Sequence, residues 1–189
     1  MMVALPLIDN GTVTIVAMRR RHVRQVMRIE RQVYPRPWTP AVFTSELAGP
    51  PDSRHYIVGR IGTRVAGYGG LMATLDAADG SRSAHITNIA VDPDRQRSKI
   101  GSAVLISLIR HAQNWECVSL TLEVRYNNVA AQELYHRFGF LQEGVRRRYY
   151  ENTDDAYVLW ARGLHQPAFK ERLRDLEAAL PFRTVWEDS

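Results

Sequence analysis

Between His85 and Val124 the hydrophobic pattern changes period twice, and few folds accommodate that. His85 to Val91 reads as a strand, which Asp92-Pro93 ends because proline lacks the N–H that a ladder requires. From Ile100 the apolar residues Val104, Leu105, Leu108, Ile109 and Ala112 mark one stripe of an amphipathic helix. Cys117 to Val124 then alternates, with Val118, Leu120, Leu122 and Val124 on one face and Ser119, Thr121 and Glu123 on the other. Two strands that each need one covered face, joined by a helix that needs the same, call for a sheet with helices packed on it.

The flanking segments repeat this mixture of periods. Ile15 to Ala17 reads as a short first strand, and Val23, Val26, Met27, Glu30 and Val33 recur behind it at helical spacing. Pro35, Pro37 and Pro40 interrupt that helix, and Thr39-Pro40 reads as an N-cap with proline at the first position of a second helix through Leu47. Tyr56 to Arg60 and Val65 to Ala73 flank a turn at Gly62 and read as a hairpin, with Gly67, Gly69 and Gly70 weakening its second strand. Ala77 to Ser83 is a polar loop. A helix from Asn128 to Arg137 stops at Gly139, and strands from Leu141 to Tyr149 and from Ala156 to Ala161 follow. The expected fold is α/β, a mixed β-sheet flanked by helices on both faces. Residues 1–162 make one domain of this kind. Residues 163–189 form a helical extension, whose stripe of Phe169, Leu173, Leu176 and Leu180 must dock somewhere.

Composition removes several function classes. At 189 residues and 45% hydrophobic content the chain can bury one core of ordinary domain size. Its single cysteine, Cys117, cannot form an internal disulfide and has no evident histidine partner, so it reads as a small buried residue. Nothing has metal-ligand spacing. No apolar stretch approaches a membrane span and Met1 to Asn10 lacks the marks of a signal peptide, so a soluble, cytoplasmic protein is expected. The net charge of +5 invites a nucleic-acid reading. Its densest runs, Arg19-Arg20-Arg21 and Arg146-Arg147-Arg148, serve equally as solvated faces or as attractors for the phosphates of a nucleotide cofactor, so nucleic acid is not the expected partner.

Asn88 to Gly101 puts a strand, a basic loop and a helix start in direct succession. Unpaired N–H groups at a helix N-terminus point outward with the positive end of the helix dipole, so that order suits a pyrophosphate. Arg95, Arg97 and Lys99 add charge. Gln96 through Gly101 resembles the acyl-CoA motif of the GNAT superfamily of N-acetyltransferases, which runs Q or R, x, x, G, x, G or A. Lys99 departs from it at the first glycine position, where a side chain hinders close backbone approach. The resemblance implies acetyl-CoA as co-substrate, held by Arg97, Ser98, Lys99, Ile100, Gly101 and Ser102. It also implies that the strand before the loop is splayed from its neighbour, so that Ile89, Ala90 and Val91 pair with the pantetheine arm.

Leu122 to Asn128 and Ala130 to Phe140, with Arg146 to Tyr150, Asp155-Ala156 and Pro37-Trp38, are similar to the RimI-type ribosomal-protein-alanine N-acetyltransferases of that superfamily. A peptide α-amine, with a pKa of about 8, must lose a proton before it attacks a thioester. Glu123 stands at the family's general-base position; by itself it reads as an exposed strand glutamate. Tyr135 falls at the general-acid position, and helical periodicity alone would make it core packing. Asn128 matches a residue that hydrogen-bonds the cofactor, a role compatible with capping the helix it opens. The substrate peptide would enter between the Tyr34 to Trp38 loop and the Arg146 to Tyr150 segment, against Tyr34, Trp38, Tyr149 and Tyr150.

The activity implied is direct acetyl transfer, in a ternary complex, to the N-terminal α-amine of a protein, the alanine of a small-subunit ribosomal protein. Acetylation of a lysine side chain or small amine would use the same fold and CoA motif. A CoA-binding protein without catalysis is a third reading, for which Lys99 speaks and against which Glu123 and Tyr135 speak.

Overall fold

The computed structural model describes residues 11–75 and 80–187; Met1 to Asn10 and residues 77–79 of the expected polar loop lie outside them. The chain runs β1 (Thr12–Ala17), α1 (Arg20–Val33), α2 (Pro40–Leu47), β2 (Arg54–Ile61), β3 (Arg64–Leu75), β4 (Arg82–Val91) and α3 (Ile100–Asn114). It continues through β5 (Ser119–Arg125), α4 (Val129–Arg137), β6 (Leu141–Tyr150), β7 (Asp154–Arg162), α5 (Pro167–Ala178) and β8 (Arg183–Glu187). The strands form one mixed sheet in the order β6-β7-β5-β4-β3-β2-β1-β8. Among the described residues only β4–β5 and β1–β8 pair in parallel.

Helices cover both faces, each over its own core. On one side the stripe of α3 is wholly buried: Val104, Leu105, Leu108, Ile109 and Ala112 are each at 0% exposure. They pack with Leu120, Leu122 and Val124 of β5 and with Tyr135, Phe138 and Phe140 at the end of α4. At roughly 1.5–3 kcal/mol per fully buried aliphatic side chain, this is where the fold draws its stability. On the other side Val23, Val26, Met27 and Ile29 of α1 meet Phe43, Tyr56 and Tyr68, with Tyr34 and Trp38 packed at the margin. Thr39 caps α2 as expected, its hydroxyl accepting the Val42 N–H at 3.3 Å with Pro40 behind it.

Two local readings change. The glycines of β3 make room for close neighbours: a β-carbon at Gly69 would sit 2.9 Å from Leu108 Cδ1 of α3, one at Gly67 would sit 3.0 Å from Ile100, and one at Gly70 would run into the Tyr56 ring of β2. Val118 does not join the buried stripe of β5. It precedes the strand and is 45% exposed, while Ser119 is buried with its hydroxyl 2.8 Å from that of Ser83.

Beyond Gly163 the apolar stripe docks on α3, with Phe169 and Leu173 buried and Leu176 and Leu180 packed beside them. The strand that follows was not expected. β8 pairs with β1 from Thr12↔Arg183 to Val16↔Glu187, so the end of the chain lengthens the sheet on the side opposite β6. Replacing Phe169 by Ala removes the main anchor of α5 and should lower the unfolding free energy by about 3 kcal/mol or more, read from the denaturant midpoint. A loss below about 1 kcal/mol would mean that the stripe is not docked in solution.

Candidate active site

β4 and β5 pair only at their starts, Ser83 with Ser119, Ala84 with Leu120 and His85 with Thr121. Past His85, β4 follows β3 as far as Val91, whereas β5 follows β7 as far as Arg125. The strands part there, and one edge of β4 is left without a strand against it. A bulge lies at that point: Asn88 faces Gly70 and Ile86 faces Leu71, so Thr87 is an extra residue that bends β4. The Tyr34 hydroxyl donates to the Ile89 carbonyl at 2.9 Å from the cavity side. Ile89 and, two residues on, Val91 therefore turn their backbone groups to the open edge, while Ala90 turns its own to β3.

At the end of β4 the buried Asp92 pairs with Arg28 of α1 at 2.5 Å and accepts the Asp94 N–H at 3.2 Å, starting the 3-10 turn Pro93–Arg95. In the loop to α3 both Arg97 and Lys99 are left-handed, with φ of 62° and 68°. That explains why glycine suits the position of Lys99: a β-carbon costs about 1–2 kcal/mol in this conformation. No side chain caps α3, so the first-turn N–H groups of Ile100, Gly101 and Ser102 have no intrahelical acceptor. The side chains of Ile100 and Ser102 are buried, which leaves their backbone as the part a ligand can meet. Arg97 and Lys99 are exposed, Ser98 is half-buried with its hydroxyl donated to the Arg95 carbonyl, and Gly101 lies against Val91 and Leu134.

A cavity of about 480 Å³ opens where the strands part. It brings together Tyr34, Trp38, Ile89, Glu123, Asn128, Tyr135, Tyr149 and Tyr150, whereas Ala90, Val91 and the loop to α3 lie off it. Glu123 projects from the face of β5 opposite Leu122, with only 8% of its side chain exposed. Its Oε2 is 3.2 Å from His85 Nε2 and its Oε1 is 3.2 Å from Arg146 Nη2. Burial holds the His85 imidazole below its ordinary pKa; the Glu123 carboxylate pulls the other way and Arg146 pushes with burial. A neutral imidazole can donate its Nε2–H to the carboxylate.

Tyr135 is buried on α4, its ring 5.8 Å from that of Phe140, and burial pushes its phenol well above the ordinary value, with Tyr150 adding to the shift. It therefore keeps its proton at neutral pH. Asn128 caps α4, its Oδ1 accepting the Ala131 N–H at 3.2 Å. Tyr150 donates its hydroxyl to the Glu123 backbone carbonyl at 3.2 Å, its phenol raised to about 12 chiefly by burial, while Tyr149 is exposed on the rim. Trp38 packs on Phe43 at 5.3 Å. Cys117 is wholly buried, and burial raises its thiol.

Two residues that line the cavity were not singled out by sequence. His85 read as the start of a strand, and Glu30 as one position of a helical stripe. Glu30 is 2% exposed; its Oε1 accepts the Trp38 N–H at 2.8 Å and its Oε2 accepts the Tyr68 hydroxyl. Burial pushes this carboxyl up to about 7 against the pull of the Trp38 N–H. A glutamate on the apolar stripe of α1 was the only signal available, and it is a weak one.

A backbone edge freed from its sheet, with an uncapped helix start beyond it and an acidic group beside it, is the arrangement that the resemblance to the N-acetyltransferases implies. Comparison with known proteins gives the same answer. Residues 23–140 match the acetyltransferase (GNAT) family, and the chain belongs to that family. It is an acetyl-CoA-dependent N-acetyltransferase. The chain is 36% identical to N-alpha-acetyltransferase RimI of Mycobacterium tuberculosis, over 80% of this chain and 93% of that one. It is 32% identical to the ribosomal protein bS18-alanine N-acetyltransferase of Escherichia coli, over 77% and 95%. A crystal structure of the Escherichia coli enzyme superposes with a TM-score of 0.67 at 27% identity, covering 80% of this chain and 94% of that one. Arabidopsis thaliana NAA60 in complex with acetyl-CoA shares the fold at 14% identity, with a TM-score of 0.71 over 79% and 98%.

Two outcomes follow from this geometry. An acid whose folded pKa lies above its unfolded value binds its proton more readily when folded, so the stability Glu30 contributes is full below about pH 4.5 and is lost as pH rises through about 7. Between about pH 5 and pH 8 the melting temperature should fall more in the wild type than in Glu30→Gln; parallel profiles would refute the assignment. Lys99→Gly should stabilise the protein by up to about 1 kcal/mol by relieving the left-handed lysine, whereas Lys99→Ala should not. Equal denaturant midpoints for the glycine and alanine variants would show that the loop relaxes around residue 99.

Proposed function

We propose that this enzyme acetylates the N-terminal α-amine of a protein in the cytoplasm, the alanine that begins ribosomal protein bS18, by direct attack on acetyl-CoA. The observation that carries this reading is the position of Glu123, a barely exposed carboxylate on the wall of the cavity that opens where β4 leaves β5. The names of the relatives supply the substrate.

In this reading Ile89 and Val91 pair their free backbone groups with the pantetheine arm, and Ala90 keeps the strand on β3. The first-turn amides of α3 at Ile100, Gly101 and Ser102 meet the pyrophosphate, with Arg97, Ser98 and Lys99 around it. Asn128 supports the cofactor from the start of α4. The peptide enters between Tyr34 and Trp38 on one wall and Tyr149 and Tyr150 on the other. Glu123 takes a proton from the α-ammonium, and the amine nitrogen then attacks the thioester carbonyl carbon. A backbone N–H near Val91 stabilises the oxyanion. As the C–S bond breaks, Tyr135 gives its proton to the departing thiolate, and the second proton lost by the attacking nitrogen restores the phenol. The buried phenol holds its proton at neutral pH and so reaches this step able to donate; its raised pKa works against the transfer, because a thiol is the stronger acid of the two, so the proton moves only as charge builds on the sulfur.

Glu123→Gln should lower turnover by roughly 10² at neutral pH with little change in acetyl-CoA affinity, and part of the loss should return at high pH. The assay uses peptides that differ only in their first residue, with product mass spectrometry to place the acetyl group. A wild-type rate in Glu123→Gln, or acetylation confined to lysine side chains, would overturn the reading. Tyr135→Phe should slow the same step, and full activity there would return Tyr135 to packing.

A further inference from the structure

The arginines at the cavity mouth are held in different ways. Arg125 is anchored by Glu151 at 2.6 Å and Asp154 at 2.9 Å, with its guanidinium 4.2 Å from the Tyr150 ring. Arg147 pairs with Asp155 at 2.7 Å on the rim. Arg146 instead reaches inward and sets one nitrogen 3.2 Å from Glu123 Oε1.

That contact is built to break. It is a single-point pair at the same 3.2 Å as the His85 contact, and solvent is what distinguishes it: 55% of the arginine side chain is exposed against 23% of the histidine's, and the guanidinium already lies 5.3 Å from the Tyr149 ring on the rim. Arg146↔Ala156 is the last regular pair before the β6–β7 register shifts, and Arg148 beyond it is left-handed. β6 is also the outermost strand on its side of the sheet. Glu123 Oε2, by contrast, is held from inside by His85 on β4. His85 lines the cavity and Arg146 lies beyond its lining, so Arg146 is the partner with room to move out towards the rim, and Oε1 is the oxygen that its departure frees.

We propose that Arg146 is a placeholder for the substrate's α-ammonium. Its guanidinium neutralises Glu123 in the empty enzyme, and the incoming ammonium displaces it to the rim. The inference rests on the reading of Glu123 as the base. A carboxylate this little exposed is costly without a partner, so the placeholder keeps it paired and ordered between turnovers. An N–H bond of the ammonium then breaks, an O–H bond forms at Oε1, and the electron pair stays on the amine nitrogen. The exchange selects groups that arrive as cations, because a neutral amide or hydroxyl cannot replace a guanidinium on a carboxylate. Arg146 is thus a specificity-determining residue, one that competes with the substrate.

Steady-state kinetics on an alanine-starting peptide test this. Arg146→Ala should lower the peptide KM by about 2- to 5-fold, the factor corresponding to a half-exposed ion pair, and leave the acetyl-CoA KM unchanged. Arg146→Lys, which restores a displaceable cation, should bring the peptide KM back towards wild type. If the alanine variant does not fold, as judged by thermal melting, Arg146→Gln carries the same expectation. In a Glu123→Gln background the Arg146 substitution should leave the peptide KM unchanged, because no carboxylate remains to be released. A higher peptide KM in Arg146→Ala would make Arg146 a grip on the peptide, and an unchanged KM would make it a bystander; either overturns the proposal. A wild-type rate in Glu123→Gln alone would instead bring down the reading of the base, so the two failures can be told apart.

Discussion

Backbone groups of a central strand that lose their sheet partner must find another, and in this protein that happens to β4 beyond His85. The bulge at Thr87 turns the strand, the Tyr34 hydroxyl satisfies one freed carbonyl at Ile89, and the stretch from His85 to Ile89 lines the cavity. The site depends on this parting. It opens the gap over Glu123, exposes a strand edge to a ligand that can complete the ladder, and leads that edge straight into the uncapped start of α3.

Charge inside the gap is managed by pairing. Glu123 lies between His85 on the inner side and Arg146 on the outer, each 3.2 Å from one of its oxygens. Glu30 takes the other course. With the Trp38 N–H and the Tyr68 hydroxyl on its oxygens and almost no solvent, it is pushed towards the neutral form, and it ties the loop between α1 and α2 to the sheet. One carboxyl is thus ion-paired on the cavity wall and the other holds the wall that carries Tyr34 and Trp38.

The loop before α3 shows how a departure from a family pattern is absorbed. Glycine at residue 99 would enter the left-handed region freely, and lysine enters it at a cost of about 1–2 kcal/mol. The neighbouring Arg97 is left-handed as well, so the backbone path is kept by the loop as a whole, anchored at one end by Asp92 on Arg28 and at the other by the buried Ile100.

The sequence by itself determined the elements and the faces they bury. Period-3.6 stripes in α1, α3 and α5 and alternation in β5 report which side of each element meets a core, and that is a local property. The motif from Gln96 to Gly101 and the run around Glu123 and Tyr135 made the family legible, although the bare residues read as a solvated turn, a strand glutamate and a packing tyrosine. Pairing between distant strands was decided only by the tertiary structure. β8 is five residues with no strong alternation, and it exists because β1, at the other end of the chain, offers it an edge. His85 meets Glu123 because β4 and β5 lie side by side up to that residue and no further, and Glu30 meets Trp38 because prolines fold the chain back after α1. Such contacts join residues whose spacing along the chain carries no periodic signal, so only the packed fold brings them together.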